Sequence, residues 1–121
     1  MIVLLIAVLG GVGGATRFLV DGLVSARWPR RFPLGTLVAN GSGSLLIGLL
    51  AGAQLHHGFA PAWFAAATVG FCGGYTTFST AMIETVRMIQ DGHLWRATVN
   101  AVGSLILCLA AVVAGIAVMA L

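Results

Sequence analysis

Four apolar runs, each long enough to cross a bilayer as a helix, constrain this sequence more than any other feature. A hydrocarbon core about 30 Å thick requires roughly 20 apolar residues of helix. The four runs cover residues 2–20, 34–55, 62–88 and 97–121. Charged residues make up only 7% of the chain, against about a quarter of a soluble domain. We therefore expect an all-α membrane protein, with residues 1–121 forming one four-helix transmembrane domain in the lipid bilayer.

Short polar segments separate the runs and predict the membrane boundaries. Trp28, Trp63 and Trp95 each lie at the edge of a run, as in the aromatic belts of membrane proteins. The first run resembles a secretory signal in length, but no basic segment precedes it, so we interpret it as a transmembrane helix. Four passages place both termini on the same side of the membrane.

The basic residues are distributed unevenly between the two sides. The net charge of +3 comes from six arginines and no lysine, and so small an excess does not indicate nucleic-acid binding. The arginines of the first and third loops, which share a side, are Arg27, Arg30, Arg31, Arg87 and Arg96. The opposite side carries no basic residue except histidine. The positive-inside rule predicts that the arginine-rich loops lie in the cytoplasm.

Small residues indicate close packing between helices. Gly10 and Gly14 are four residues apart, as are Gly48 and Gly52, which is the spacing that lets membrane helices approach each other closely. The spacing leaves open whether these helices meet within one chain or across a dimer. Cys72 and Cys108 lack the companion ligands of a metal site or a disulfide framework, so we expect them to be buried as small hydrophobes.

Charged residues near the ends of the runs allow more than one interpretation. Arg17 and Asp21 share a helix face in the first run, which fits an ion pair at the interface as well as a functional role. Glu84 and Arg87, near the end of the third run, fit a solvated pair at the mouth. The adjacent His56 and His57 in the second loop are too few for a metal-site hypothesis.

Uncharged polar residues lie deeper in two of the runs, where they tend to mark function or pairing. Asn40 in the second run must find hydrogen-bond partners, either by bridging two helices or by lining a pathway. Asn100, Ser104 and Cys108 form a polar stripe on one face of the fourth run. We expect this stripe to face inward, towards protein or water.

The stretch GFCGGYTTFST, residues 70–80, interrupts the third run with polar residues. Gly73 and Gly74 predict a break in the helix at their position. Broken helices persist at membrane depth only where the freed backbone groups are buried in protein or line a cavity. Freed carbonyls can coordinate a cation, whereas freed amides and hydroxyls can face an anion. The hydroxyls here belong to Thr76, Thr77, Ser79 and Thr80, and Phe78 adds a ring with an electropositive edge.

The chemistry of this stretch favours conduction or binding over catalysis. It contains no carboxylate, histidine or lysine that could transfer a proton. The sequence as a whole has no nucleotide-binding loop, no paired catalytic carboxylates and no nucleophile–base constellation, so we do not expect an enzyme. The residues by themselves predict a pore or a binding site for a small ion.

Three blocks of the sequence resemble the CrcB/Fluc family of small bacterial fluoride channels. They are GGVGGATRF at residues 10–18, PLGTLVAN at 33–40, and GFCGGYTTFST at 70–80 followed by Glu84. The blocks occur in the order of the family, and the four-run layout matches it over essentially the whole chain. The resemblance implies a passive fluoride export channel in the bacterial cytoplasmic (inner) membrane, which lowers fluoride toxicity in the cytoplasm.

The resemblance also implies an assembly and an ion site. Family members are antiparallel dual-topology dimers with two fluoride pathways and a structural sodium ion at the centre. Carried onto this chain, the sodium ion is held by the backbone carbonyls of Gly73 and Thr76, and Arg17 matches the structural arginine of the first run. The implied fluoride pathway consists of Asn40, Phe78, Thr77, Ser79, Thr80, Asn100, Ser104 and Cys108.

This chain departs from the family pattern at two points. A second phenylalanine commonly follows three residues after the first, whereas this chain has Ala81 after Phe78. The arginine bias also favours one orientation in the membrane, although dual topology requires two. The partner in the antiparallel dimer is therefore either a second copy or an oppositely oriented paralogue that forms a heterodimer.

Two other functional classes stay open. A proton-coupled transporter of the small multidrug type is also a four-span dimer, but it requires an ionisable carboxylate in the middle of a span. Asp21, Glu84 and Asp91 all lie near the ends of the runs. A non-conducting structural membrane subunit would leave the broken helix and the polar stripes without a purpose.

Overall fold

The computed structural model describes residues 1–28 and 32–121, and all the regular secondary structure in these ranges is helical. The elements in chain order are α1 (Ile2–Arg27), α2 (Leu34–His57), α3 (Pro61–Ala65), a π-helical segment (Ala66–Cys72), α4 (Gly73–Tyr75), α5 (Phe78–Gln90) and α6 (Leu94–Met119). Within the described residues, three helices are long and apolar enough to cross a membrane, namely α1, α2 and α6. The expectation of an all-helical membrane protein is confirmed at this level. The third predicted run consists of four shorter helical pieces, from α3 to α5.

α1 packs against the π-helical segment and α4 with almost no space between the backbones. Gly10 lies against Gly70 and Gly74, and Gly13 lies against the backbone of Phe71. A Cβ atom at Gly74 would overlap the carbonyl of Gly10, and one at Gly13 would overlap the carbonyl of Phe71. The small residues of this seam therefore pack two passages of the same chain together.

α2 and α6 form the second tightly packed pair. Gly48 lies against the backbone of Val112, and Gly52 lies against Met119. The two helices therefore run in the same direction. They also end together, because Nε2 of His57 lies 2.9 Å from the carbonyl oxygen of Met119. The glycines of α2 thus serve a contact inside one chain.

The core of the chain is built mostly from small side chains, with Tyr75 as the one large residue among those buried in the described part of the chain. The buried apolar residues are Ala39, Ala66, Cys72, Tyr75, Ala81 and Ala97. Most of the large apolar side chains of α1 and α6 are exposed on the outside of the bundle. This arrangement suits a bundle in lipid, where close backbone packing replaces a large hydrophobic core. Cys72 is buried as expected, Cys108 is half-buried, and both are free thiols.

The third passage is broken, but three residues later than the sequence predicts. Gly73 has helical dihedral angles, with φ −60° and ψ −39°. The chain becomes extended at Thr76 (φ −86°, ψ 160°) and Thr77 (φ −149°, ψ 124°), and α5 begins at Phe78. The prediction of a break at Gly73 and Gly74 was wrong, because Gly74 allows α1 to approach closely rather than allowing the helix to turn.

Candidate functional site

Asn40 on α2 bonds to both backbone groups of Thr77, an extended residue at the break in the third passage. Its Nδ2 donates to the carbonyl of Thr77 at 2.8 Å, and its Oδ1 accepts from the N–H of Thr77 at 2.7 Å. One side-chain amide thus satisfies both backbone groups of an extended residue at a depth where a helix would otherwise pair them. Asn40 therefore bridges two passages, which is one of the two roles that the sequence left open.

The break removes the usual donors from backbone carbonyls at and just before it, among them those of Gly73 and Thr76. In a continuous helix, the carbonyls of Gly73 and Thr76 would accept from the N–H groups of Thr77 and Thr80. The N–H of Thr77 instead bonds to Asn40, and the N–H of Thr80 donates to Oγ1 of Thr77 at 3.2 Å. Carbonyls released from a helix in this way can coordinate a cation.

The other side of the break is the capped N-terminus of α5. Thr77 is the N-cap, and its Oγ1 accepts from the N–H of Thr80. The same hydroxyl lies 3.1 Å from Oγ1 of Thr80 and 3.4 Å from Oγ of Ser79, so the three hydroxyls form one cluster. A helix N-terminus carries partial positive charge and unpaired N–H groups. The cluster is therefore a favourable place for an anion.

The aromatic ring that the sequence singled out lies on the surface beside this cluster. Phe78 is 78% exposed, and Gly73 and Ser79 are exposed too. Ala81, in contrast, is 6% exposed and lies inside the chain. The break therefore presents an aromatic ring, a hydroxyl and backbone groups to whatever adjoins the chain.

Two adjoining cavities lead from one end of the bundle to the break. The outer cavity has a volume of about 740 Å³, and its charged or titratable lining residues are Asp21, Glu84, Arg87, Asp91, His93 and Arg96. The inner cavity has a volume of about 170 Å³ and is lined by Gly14, Arg17, Phe18, Asp21, Thr36, Thr77 and Thr80. Asp21 and Thr80 line both cavities. A polar path therefore reaches from the arginine-rich end of the bundle to the hydroxyl cluster.

A short hydrogen bond from Thr36 to Oε1 of Glu84 lies between the two cavities. Glu84 lines the outer cavity, and Thr36 lines the inner one. The carboxylate thus bonds across to α2, whereas the sequence suggested a solvated pair with Arg87, which is exposed in the same cavity. Sequence reasoning missed Thr36. The available signal was its position four residues before Asn40, on the same face of the second run.

Arg17 reaches the inner cavity without the ion pair that one interpretation of its spacing predicts. Its Nε atom is buried and has no hydrogen-bond partner among the described residues. Asp21, four residues later, is exposed and lines both cavities. The guanidinium therefore adds positive charge to the wall that also carries Thr77 and Thr80.

The polar stripe of α6 faces inward, as the sequence predicts. Asn100 is 3% exposed, and its Nδ2 donates to Oγ1 of Thr85 at 2.8 Å, which joins α6 to α5. Ser104 and Cys108 are half-buried, whereas the three residues that follow Ser104 are exposed. The stripe thus begins as a bond between helices and continues as a partly accessible polar face.

Comparisons with known proteins agree with these observations. The model of a family described as "CrcB-like protein, Camphor Resistance (CrcB)" matches residues 4–116. The fluoride-specific ion channel FluC 1 of Leifsonia xyli subsp. xyli is 43% identical over 92% of this chain and 81% of its own length. FluC of Geobacter sulfurreducens is 43% identical over 94% of this chain and 93% of its own length, and FluC 2 of Mycolicibacterium paratuberculosis is 47% identical over 84% and 80%. The helical bundle, the sequence blocks around its break and these matches together show that the chain belongs to the CrcB family.

Proposed function

We propose that this chain forms a fluoride-selective ion channel, which lets fluoride leave the bacterial cytoplasm passively across the inner membrane and so lowers its toxicity. The observation that carries the proposal is the naming of the relatives. Each of the three is a fluoride-specific ion channel that aligns with this chain over at least 80% of both sequences. Neither a proton-coupled transporter nor a structural subunit receives comparable support.

The chemistry of the inner cavity supports a small anion as the permeant ion. Fluoride is strongly hydrated, so only closely spaced donors can offset the cost of removing its water. The cavity offers the hydroxyl of Thr80 and the guanidinium of Arg17 as donors, since the hydroxyl hydrogens of Thr36 and Thr77 are donated to Glu84 and Thr80. Ser104 and Cys108 continue the proposed pathway on α6, and the edge of the Phe78 ring adds a weakly positive contact.

A structural sodium ion at the break belongs to the same proposal. The carbonyls of Gly73 and Thr76 have lost their helical donors to Asn40 and Thr77, which supports their use as cation ligands. Two carbonyls coordinate a cation incompletely, so the site needs further oxygen ligands, which a partner subunit can supply. When bound, the ion supplies positive charge near the hydroxyl cluster.

An antiparallel dimer of four-span subunits covers the exposed groups at the break and supplies further ligands to the proposed sodium ion. Ser42, Gly73, Phe78 and Ser79 are exposed around the break, and polar groups facing lipid there would be costly. The partner is a second copy or an oppositely oriented paralogue. Arg27, Arg87 and Arg96 lie at one end of the bundle, which favours one orientation, while Arg30 and Arg31 lie outside the described residues.

Fluoride flux into liposomes tests passive conduction directly. Liposomes that contain the purified chain receive a fluoride gradient at neutral pH, with or without an additional pH gradient. We expect fluoride uptake that follows the fluoride gradient and the membrane potential and is the same in both conditions. Uptake that requires the pH gradient would instead indicate a proton-coupled transporter, and uptake no faster than in protein-free liposomes would indicate a subunit that does not conduct.

A further inference from the structure

Tyr75 fixes the turn that precedes the break, and the function proposed above does not use it. The side chain is 8% exposed, and its ring stacks on Phe71 with the ring centroids 5.6 Å apart. Glycine at position 13 of α1 leaves room for its backbone, and glycine at position 43 of α2 leaves room for its ring. Both neighbouring helices therefore have a glycine, which lacks a side chain, where they contact Tyr75.

The hydroxyl of Tyr75 ties this turn to α2. It lies 2.8 Å from Oγ of Ser42. A serine hydroxyl has a single hydrogen, and Oγ of Ser42 donates it to the carbonyl of Val38 at 2.6 Å. Tyr75 is therefore the donor and Ser42 the acceptor. The bond is directional, so it restrains the rotation of the turn as well as its distance from α2.

α2 consequently holds the chain immediately before and immediately after Thr76. Tyr75 is bonded to Ser42, Thr77 is bonded to Asn40, and the methyl group of Thr76 lies against Gly43, the residue after Ser42. The carbonyl of Thr76 lies within this restrained segment, and the carbonyl of Gly73 lies at the start of α4, the helical turn that Tyr75 ends. Backbone carbonyls bind a cation only when several of them are aimed at one point, so their orientation controls affinity.

We infer that Tyr75 is a positioning residue for the sodium ion, because its hydroxyl bond to Ser42 aims the carbonyls of Gly73 and Thr76 at a single ion. This inference rests on the proposed function, which includes the ion. Tyr75→Phe retains the ring and its stacking on Phe71 and removes only the hydroxyl. We expect it to weaken sodium binding about five-fold, the factor that corresponds to the loss of about 1 kcal/mol for one net hydrogen bond.

The test measures how sodium stabilises the purified full-length protein against thermal unfolding. The melting temperature is recorded against sodium concentration in a buffer in which choline replaces sodium. The half-saturating concentration of the site, which is its dissociation constant, is obtained by fitting the logarithmic rise of stability with sodium concentration. Tyr75→Phe and Ser42→Ala should each raise this concentration about five-fold, and the double variant should raise it no further. Thr98→Val is the matched control, since it removes a hydroxyl that bonds within α6 to Leu94, away from the break.

Each alternative outcome has a definite meaning. If the variants melt at lower temperature but keep the half-saturating sodium concentration, Tyr75 is structural only and the inference is wrong. If the effects of Tyr75→Phe and Ser42→Ala multiply in the double variant, their mutual bond is not the cause. If the unmodified protein shows no sodium dependence, the proposed sodium site fails, and the role of Tyr75 fails with it.

Discussion

At the scale of single residues, the side chains around the break show what a sequence can and cannot predict. An amide deep in an apolar run must find partners, so Asn40 could be identified as important from its position alone. Its partner could not be identified, because the partner is the backbone of Thr77 and backbone groups carry no sequence signal. Thr36 escaped notice for a related reason, since a threonine in a helix commonly bonds to its own backbone.

The Thr36–Glu84 hydrogen bond gives the first prediction at this scale. Thr36→Val keeps the shape of the side chain but leaves a half-buried carboxylate without its donor between the two cavities. We expect fluoride flux in liposomes to fall at least about ten-fold, the equivalent of the 1.5–3 kcal/mol of a hydrogen bond to a charged group. Thr98→Val, which deletes a hydroxyl on α6, should keep its flux. Equal flux in the two variants would remove the pair from the pathway.

Phe78 gives the second prediction. Phe78→Ile keeps an apolar side chain and removes the electropositive ring edge, so we expect fluoride flux to be abolished while the protein stays folded and keeps its assembly state. Flux is measured in liposomes, and assembly is measured by size-exclusion chromatography. Phe59→Ile, in the loop between α2 and α3, is the matched control and should conduct normally. Full flux in Phe78→Ile would show that the ring is not part of the pathway.

At the scale of elements, the third passage shows why the position of the break was wrongly predicted. A glycine pair in an apolar run fits a broken helix and a close helix contact equally well, and sequence does not separate these uses. Gly74 serves the contact with α1, because a Cβ atom at this position would overlap the carbonyl of Gly10. The break itself is made by threonines, whose β-branched side chains favour extended backbone. Thr77 as the N-cap of α5 was the usable signal, because threonine is a preferred residue at a helix start.

The close approach of α1 gives the prediction at this scale. Gly74→Ala places a Cβ atom on the carbonyl of Gly10. Both the Cβ atom and the carbonyl are fixed to helix backbone, so neither can move aside easily. We expect the free energy of unfolding to fall by about 1–3 kcal/mol, as for other overpacked cores. Gly11→Ala is the matched control, because nothing lies within 4 Å of its Cβ position. Equal unfolding free energies of the two variants in denaturant would contradict the packing described here.

At the scale of the whole molecule, membrane insertion was predictable and assembly was not. The near absence of charge excludes a soluble surface whatever the details of the fold, so the class of protein follows from the composition. The composition does not predict a partner subunit, because exposed large apolar side chains can contact either lipid or another protein. The exposed polar groups at the break are the feature that calls for a protein partner, and only the folded chain shows that they are exposed.

The distribution of arginines gives the prediction at this scale. A cysteine introduced at Ala60, in the loop opposite the arginine-rich end, reports which side of the membrane that loop occupies when both native cysteines are replaced by alanine. We expect labelling mainly from outside the cell, and a shift towards labelling from inside when Arg87 and Arg96 are changed to glutamine. Equal labelling from both sides with the native arginines would contradict this bias and support a dual-topology homodimer.

The central claim is that this chain selects fluoride, and the most direct test compares fluoride and chloride in the same liposomes. Purified chain shown to be dimeric is reconstituted into liposomes loaded with both anions, and efflux is followed with two ion-selective electrodes after the membrane is made permeable to potassium. We predict rapid release of fluoride while chloride is retained. Chloride release at a comparable rate, or fluoride retained by liposomes that contain the dimer, would contradict the account.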